Sequence, residues 1–443
     1  MKFLYLAVLC GLLQACGGGG GGAEVVPEAP AEPLACSVTA QRESLRTYMQ
    51  DRYYWYSQLQ APAESAPNMD AYFQSMLWRP TDRFSFTEST ALHNQVFTDG
   101  RRTGYGYVLV WGDAAQTTLR VRSVEPLSPV ARAGLARGDT IISIDGLGTQ
   151  DIVRGVLPIV AMAGVPRSFR VRTAAGVEKR IEAVSEDYVL SPVATSTTMD
   201  IMRNGAPAKV GYLAYTQFTT YSVANLNLAF TRFGLAGIEE LVLDLRYNGG
   251  GSVGASRDLA SMIGGVGLAN HIYAYLRFND KQAGLTQQVY FNSSAKAFAF
   301  PLPQGLRRVV VITSGGTASA SELLINGLRP FVDVVLVGET TYGKPYGFIP
   351  RDNCGLTYNA VQFESLNSQG VGGYTAGFAP NCQVADDLDH QLGDAAERRV
   401  RVALNYLATG SCGPLASPKG AVARARMPQE AFGETWPTQM FTD

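Results

Sequence analysis

The stretch Ile312 to Leu328, ITSGGTASASELLINGL, follows the apolar residues Val309–Val311 and leads straight into a helical pattern. A strand that ends, two glycines that turn the chain and a helix that begins near Ser319 put a hydroxyl beside unpaired N–H groups. Those groups and the positive end of the helix can hold a developing oxyanion, as acyl-transfer chemistry requires. A plainer reading stands beside it: Ser319 with Glu322 three residues on is a capping box, which would merely start the helix. If Ser319 is a nucleophile, some group must take its proton, and the chain has only His93, His271 and His390.

A lysine offers an answer. In VGETTYGKPYG (Val337–Gly347), Lys344 follows an apolar run and sits among glycines and the aromatics Tyr342, Tyr346 and Phe348. At an ordinary pKa of about 10.4 a lysine is protonated and useless as a base, so burial must depress it towards neutrality. A serine and lysine pair needs no histidine. A third element, LVLDLRYNGGGSVGAS (Leu241–Ser256), carries Asp244 and Arg246 on a buried strand and opens into Asn248, Gly249, Gly250 and Gly251. Such glycines expose backbone N–H groups where nothing crowds them.

Around these motifs, from about residue 191 to 410, apolar strands alternate with helical stretches, an α/β pattern. Residues 36–100 carry helical periodicity, with Leu45, Tyr48, Met49 and Tyr53 on one face, read as a small helical cap whose aromatics Tyr53–Tyr56 are core. Residues 101–190 change to short alternating strands with one helical turn, a small partly open barrel. This part resembles a PDZ domain, with SPVARAGLARGDTIISIDG (Ser128–Gly146) as its best-marked stretch. The resemblance puts Gly104, Tyr105, Gly106 and Tyr107 at the loop that offers backbone N–H groups to a chain-terminal carboxylate. Residues 411–443, rich in Pro, Ala and charge, are expected as a loosely held tail.

The 443 residues suit two or three domains, and a net charge of −1 without a basic patch gives no reason to expect nucleic acid. Met1–Lys2, the apolar run Phe3–Leu13 and LLQAC resemble a bacterial lipoprotein signal over residues 1–15, with Cys16 lipidated and residues 16–35 a Gly/Pro-rich tether. The expected setting is exported and lipid-anchored, periplasmic or surface-facing, and Gly17 leans towards the outer membrane. Cys36, Cys354, Cys382 and Cys412 remain, an even number consistent with two disulfides, read as Cys354–Cys382 and Cys36–Cys412.

With DLRYNGGG, TSGGTASASE and GETTYGKPYGF in this order, the chain resembles a carboxyl-terminal processing protease, also called a tail-specific protease. The resemblance implies a crotonase- or ClpP-like β/α core with an inserted PDZ domain, and cleavage near protein C-terminal tails without a metal or cofactor. It carries Ser319 over as nucleophile, Lys344 as base, and Ala320 with Gly250 or Gly251 as oxyanion donors, leaving Ser321 a helix residue. Many members hold a glutamine four residues after the lysine, where this chain has Phe348; Gln362 or Thr357 could orient the amine instead, or the pair could work alone. Protein tails and the membrane are the expected partners, and an adaptor or a second copy is compatible. The rival readings are a non-catalytic peptide-binding scaffold and a crotonase-like acyl-CoA enzyme, the latter leaving Lys344 without a role.

Overall fold

The computed structural model describes residues 36–158, 162–292, 305–415, 431–433 and 439–442. The signal, Cys16 and the glycine tether lie outside the described residues. Among the described residues no helix is long and apolar enough to cross a membrane.

A six-stranded sheet forms the centre, in the order Cys382–Gln383, Asp333–Gly338, Arg308–Thr313, Glu240–Asp244, Ala206–Tyr215, Val193–Arg203. All neighbours pair in parallel except the last two strands, which form an antiparallel pair. Parallel strands covered on both faces read as unbroken apolar runs. Val309 and Val311 point into a core shared with the helices Val223–Ala236, Val253–Gly264 and Ala320–Leu328. Val310 and Ile312 point the other way, against the helix Arg398–Thr409. This two-sided burial makes ELVLD and RVVVIT central strands rather than edges.

Residues 101–190 build an antiparallel sheet with its own core, in the order 107–111, 119–124, 140–144, 166–172, 178–184. Phe169, Val171, Ile181 and Ala183 alternate inward, as the period of two requires. The N-terminal helices Val38–Arg52 and Met69–Met76 share their core with Tyr358, Ala360 and Val361. Strand Phe86–Ser89 also pairs with Leu356–Asn359, so this region is built into the later part of the chain.

Two expectations need correction. The disulfides are Cys36–Cys354 and Cys382–Cys412. Cys354 sits in the turn between two strands of the same small sheet that takes in Phe86–Ser89, beside the start of the first helix, whereas Cys382 lies on the edge strand next to the end of the last helix. The late chain is not loose throughout either: Ala431–Gly433 pairs with Tyr107–Trp111, and Gln439–Phe441 pairs with Gly250–Ser252. Because Cys36–Cys354 closes a loop of sequence separation 318, replacing both residues with serine is expected to cost about 2–5 kcal/mol. A fall in the urea midpoint without loss of secondary structure would check this.

Candidate active site

Three adjacent parallel strands, Glu240–Asp244, Arg308–Thr313 and Asp333–Gly338, release the NGGG loop, the TSGGTAS loop and the lysine turn from their carboxyl ends. Loops at that edge of a parallel sheet converge, which is why motifs far apart in sequence meet here. The join is explicit: Thr317 Oγ1 donates to Leu245 O at 2.7 Å, Ala318 N–H to Asn248 O at 3.1 Å, and Tyr342 N–H to Thr317 O at 2.9 Å.

Ser319 stands at the N-cap of helix Ala320–Leu328 with φ 63° and ψ −115°, a region that L residues enter at a cost of about 1–3 kcal/mol. The surrounding bonds impose it. Glu322 Oε2 accepts the Ser319 N–H at 3.0 Å, and the Ser319 carbonyl accepts from Leu323 N–H at 2.8 Å. Ser319 and Glu322 thus hold capping-box positions, and the carboxylate half of the box is made. The Ser319 hydroxyl is fully buried and makes no hydrogen bond in the structure. A cap whose hydroxyl is left idle does not account for a strained serine. Ser321, by contrast, donates its hydroxyl to Asn248 O at 2.9 Å, a structural tie.

Glu322 does more than its place in a capping box suggested. Its carboxylate also accepts from Gly343 N–H at 2.7 Å, Lys344 N–H at 2.8 Å and Thr341 Oγ1 at 2.5 Å. One buried carboxylate therefore fixes the backbones of both the serine and the lysine. Burial raises its pKa, and these hydrogen bonds work against that rise. Lys344 is itself fully buried, with Nζ 4.7 Å from the centre of the Phe348 ring and 5.7 Å from that of Phe86. Burial pushes its amine down to about 7, against the pull of Asp82, Glu322 and Glu88. Phe348, four residues after the lysine, thus puts an apolar ring rather than a hydrogen-bonding group beside the amine. Gln362 donates instead to Tyr48 and to Ile349 O, and Thr357 meets Thr90 and Asp352, so both side chains are engaged elsewhere. Asp82 and Glu88 were not foreseen, because they come from the N-terminal region. Asp82 accepts from Tyr53 OH at 2.7 Å, and Arg83 donates to Tyr342 O and Gly343 O, clamping the lysine turn.

Glu322→Gln is expected to place an amide N–H₂ against donors and lower stability by about 2–4 kcal/mol. Loss of the negative charge would also move the acid limb of any Lys344-dependent pH profile downward, because Glu322 supports the protonated amine. Chemical unfolding and the pH profile of the same variant check the two parts separately.

On the glycine loop the two expected donors differ. Gly250 N–H is engaged by Asn248 Oδ1 at 2.9 Å, so it is not available to a ligand. Gly251 has φ 131°, and a Cβ there would lie 1.9 Å from Phe218 O, so only glycine fits. Ala320 is the first residue of its helix, where an N–H has no intrahelical acceptor. The loop is anchored from behind: the buried Arg246 binds the buried Asp244, the partly buried Asp386 and both oxygens of the buried Glu397. Burial alone would raise the Asp386 carboxyl, but Arg399, Arg246 and Arg137 hold it well below the usual range. Arg137, from the 101–190 unit, reaches Tyr247 OH at 2.6 Å and Asp386 at 3.0 Å, coupling that unit to the loop.

In the GYGY stretch, Tyr105 and Tyr107 are buried, with ring centres 6.0 and 5.4 Å from that of Phe169. Their side chains are core, and only the backbone of Gly104–Tyr107 can meet a ligand. Gly106 has φ 88°, and a Cβ there would strike Ser128. A cleft of about 300 Å³ runs from Gly106, Tyr107 and Val108 past Arg137 to Thr216 and Tyr247, between this unit and the central core. Ser319 and Lys344 do not line it.

Residues 209–350 match the model of peptidase family S41. The chain is 27% identical over 328 residues to a carboxyl-terminal-processing protease of Synechocystis, covering 71% of each. It is 25% identical over 305 residues to a chloroplastic C-terminal processing peptidase of Tetradesmus obliquus, covering 66% of this chain and 62% of that one. Against a chloroplastic carboxyl-terminal-processing peptidase of Arabidopsis thaliana it spans 51% of the relative's length. A solved structure of an S41 protease candidate from Bacteroides fragilis superposes with a TM-score of 0.69 at 26% identity, covering 83% of this chain and 97% of that one.

Proposed function

Because the chain carries the core of peptidase family S41 at residues 209–350, we propose that it is a working serine endopeptidase acting near the C-terminal tails of proteins. The observation that carries this is the pairing, through Glu322, of a buried serine hydroxyl with no bond of its own and a lysine whose amine burial brings to about 7. Neutral Lys344 accepts the Ser319 proton as Oγ attacks the scissile carbonyl carbon. The carbonyl oxygen gains the charge and takes hydrogen bonds from the Ala320 and Gly251 N–H groups. The protonated amine then gives its proton to the leaving nitrogen, and the peptide bond breaks to leave an acyl-enzyme. A water that loses its proton to Lys344 attacks the ester, and Ser319 recovers the proton as the acid product leaves.

Residues 101–190 act in this reading as a PDZ domain, with the backbone of Gly104–Tyr107 receiving the substrate's terminal carboxylate and strand Tyr107–Trp111 pairing with the peptide. The two disulfides support an oxidising compartment, in keeping with an exported, lipid-anchored protein. A non-catalytic scaffold would leave the buried Lys344 amine, brought to about 7 by burial, without a use.

Cleavage of an unstructured reporter with an apolar C-terminal tail, compared with the same reporter amidated at its C-terminus, tests both halves. The free tail is expected to be cut with a KM lower by about tenfold, the worth of one charge-assisted contact set. Equal cleavage of both forms would remove the carboxylate from the recognition scheme. No cleavage of either would remove the activity.

A further inference from the structure

Two short strands late in the chain occupy the two surfaces that the proposed reaction needs. Ala431–Gly433 adds antiparallel to the strand Tyr107–Trp111, with Ala431 opposite Val110, Phe432 opposite Leu109 and Gly433 opposite Val108. Gln439–Phe441 runs parallel to Gly250–Ser252, with Met440 opposite Gly251, and also lies against the serine helix and the strand Tyr346–Gly347 just past Lys344.

Peptide geometry says what the second strand meets. Phe218 N–H donates to Gly250 O, and Ser252 N–H donates to Phe218 O, each at 2.9 Å. In trans peptide units the N–H and C=O groups point in opposite directions. Both the N–H and the C=O of Gly251 therefore face away from Phe218. Phe218 pairs with Gly251 on one flank of the short strand and Met440 on the other, so the Gly251 N–H is turned to the side where residues 439–441 run. That N–H is the one left for a substrate carbonyl once Gly250 is bound by Asn248.

We infer that the two strands Ala431–Gly433 and Gln439–Phe441 form an internal block, which holds the peptide-pairing edge and the Gly251 side of the site until an extended substrate displaces it. This rests on the functional reading above. Direction separates a blocker from a substrate. The earlier of the two strands lies along Tyr107–Trp111 and the later along Gly250–Ser252, whereas a substrate whose terminal carboxylate is held by Gly104–Tyr107 passes the catalytic strand first. Two three-residue pairings make a weak hold, as a displaceable block requires.

Hydrogen exchange and turnover are measured on the protein lacking the signal and tether, on the same protein ending at residue 415, and on a full-length Phe432→Pro/Phe441→Pro form. Proline removes a ladder N–H while leaving the rest of the chain in place. Faster exchange is expected in peptides covering 107–111 and 250–252 in both altered forms. If about nine molecules in ten are blocked, kcat/KM for the reporter rises about tenfold on release. A synthetic peptide of residues 429–443 should then inhibit the shortened form in competition with substrate. Unchanged exchange at both stretches overturns the inference whatever turnover does. Faster exchange with unchanged turnover, in an enzyme that depends on Ser319, shows docking without blocking and overturns it equally. If no form turns over, the protease reading fails, and the inference then stands or falls on exchange and on whether a tail peptide binds the shortened form more tightly than the full one.

Discussion

Ser319→Ala and Lys344→Ala are each expected to lower kcat/KM by about 10⁴-fold or more, with the double variant no worse than the worse single one, because the two groups act in one proton transfer. The hydroxyl has no structural bond to lose, so Ser319→Ala should keep its melting temperature within a few degrees. The pH dependence identifies the base. Lys344 works only when neutral, and burial brings its amine to about 7, so activity should rise with pH and level off above about 7.5 to 8. An imidazole base could produce a limb in the same range, but each of the three histidines has its own place. His93 meets Glu88 at 2.9 Å, His390 meets Asp387 at 2.9 Å, and the His271 ring meets that of Phe331 edge-on, so each has another partner. Lys344→Arg distinguishes the two cases, because a guanidinium stays charged and cannot act as base. Full activity in that variant, or a limb in the carboxylate range near pH 4, would remove Lys344 from the mechanism.

The parts of this molecule that were legible in its sequence are those where local pattern and tertiary need coincide. RVVVIT and ELVLD read as buried strands because both faces are covered, and GGTASAS announced a strand-to-helix turn because its glycines and small residues leave no other use for the chain. Ser319, Lys344 and the glycine loop could be singled out one by one, since each breaks an otherwise apolar element. What could not be read was their mutual fixing. Glu322 is a capping-box residue by spacing, yet its carboxylate spans two loops, and no local signal marks an acceptor shared across 22 residues. Asp82 and Glu88 lie in a helical region whose pattern concerns its own packing, and their approach to Lys344 depends on strand Phe86–Ser89 pairing with Leu356–Asn359. The disulfides failed for the same reason. The expected pair was Cys354 with Cys382, but sheet pairing carries Cys354 to the first helix and leaves Cys382 at the far edge.

Lys344→Met is expected to stabilise the fold while abolishing turnover. The unfolded chain holds this amine near its ordinary 10.5, whereas the folded chain holds it near 7, so below pH 7 both states carry the proton and folding bears the full cost of burying it. At about 1.4 kcal/mol per pKa unit that cost is on the order of 5 kcal/mol. It declines as pH rises from 7 and vanishes above 10.5, where both states are neutral. Methionine removes it and suits the site, because the thioether would lie where Nζ now meets the rings of Phe348 and Phe86. That figure already includes the pull of Asp82, Glu322 and Glu88 on the charged amine, and refitting the new side chain takes back part of the gain. A net increase of about 2–4 kcal/mol near pH 7 is the expected result. Urea unfolding of parent and variant at pH 6, 8 and 10 would show the gap narrowing at the alkaline end. A variant no more stable than its parent at pH 6, or a gap that does not change with pH, would mean that Lys344 is not held as a strained neutral base, and the proton transfer from Ser319 would lose its physical ground.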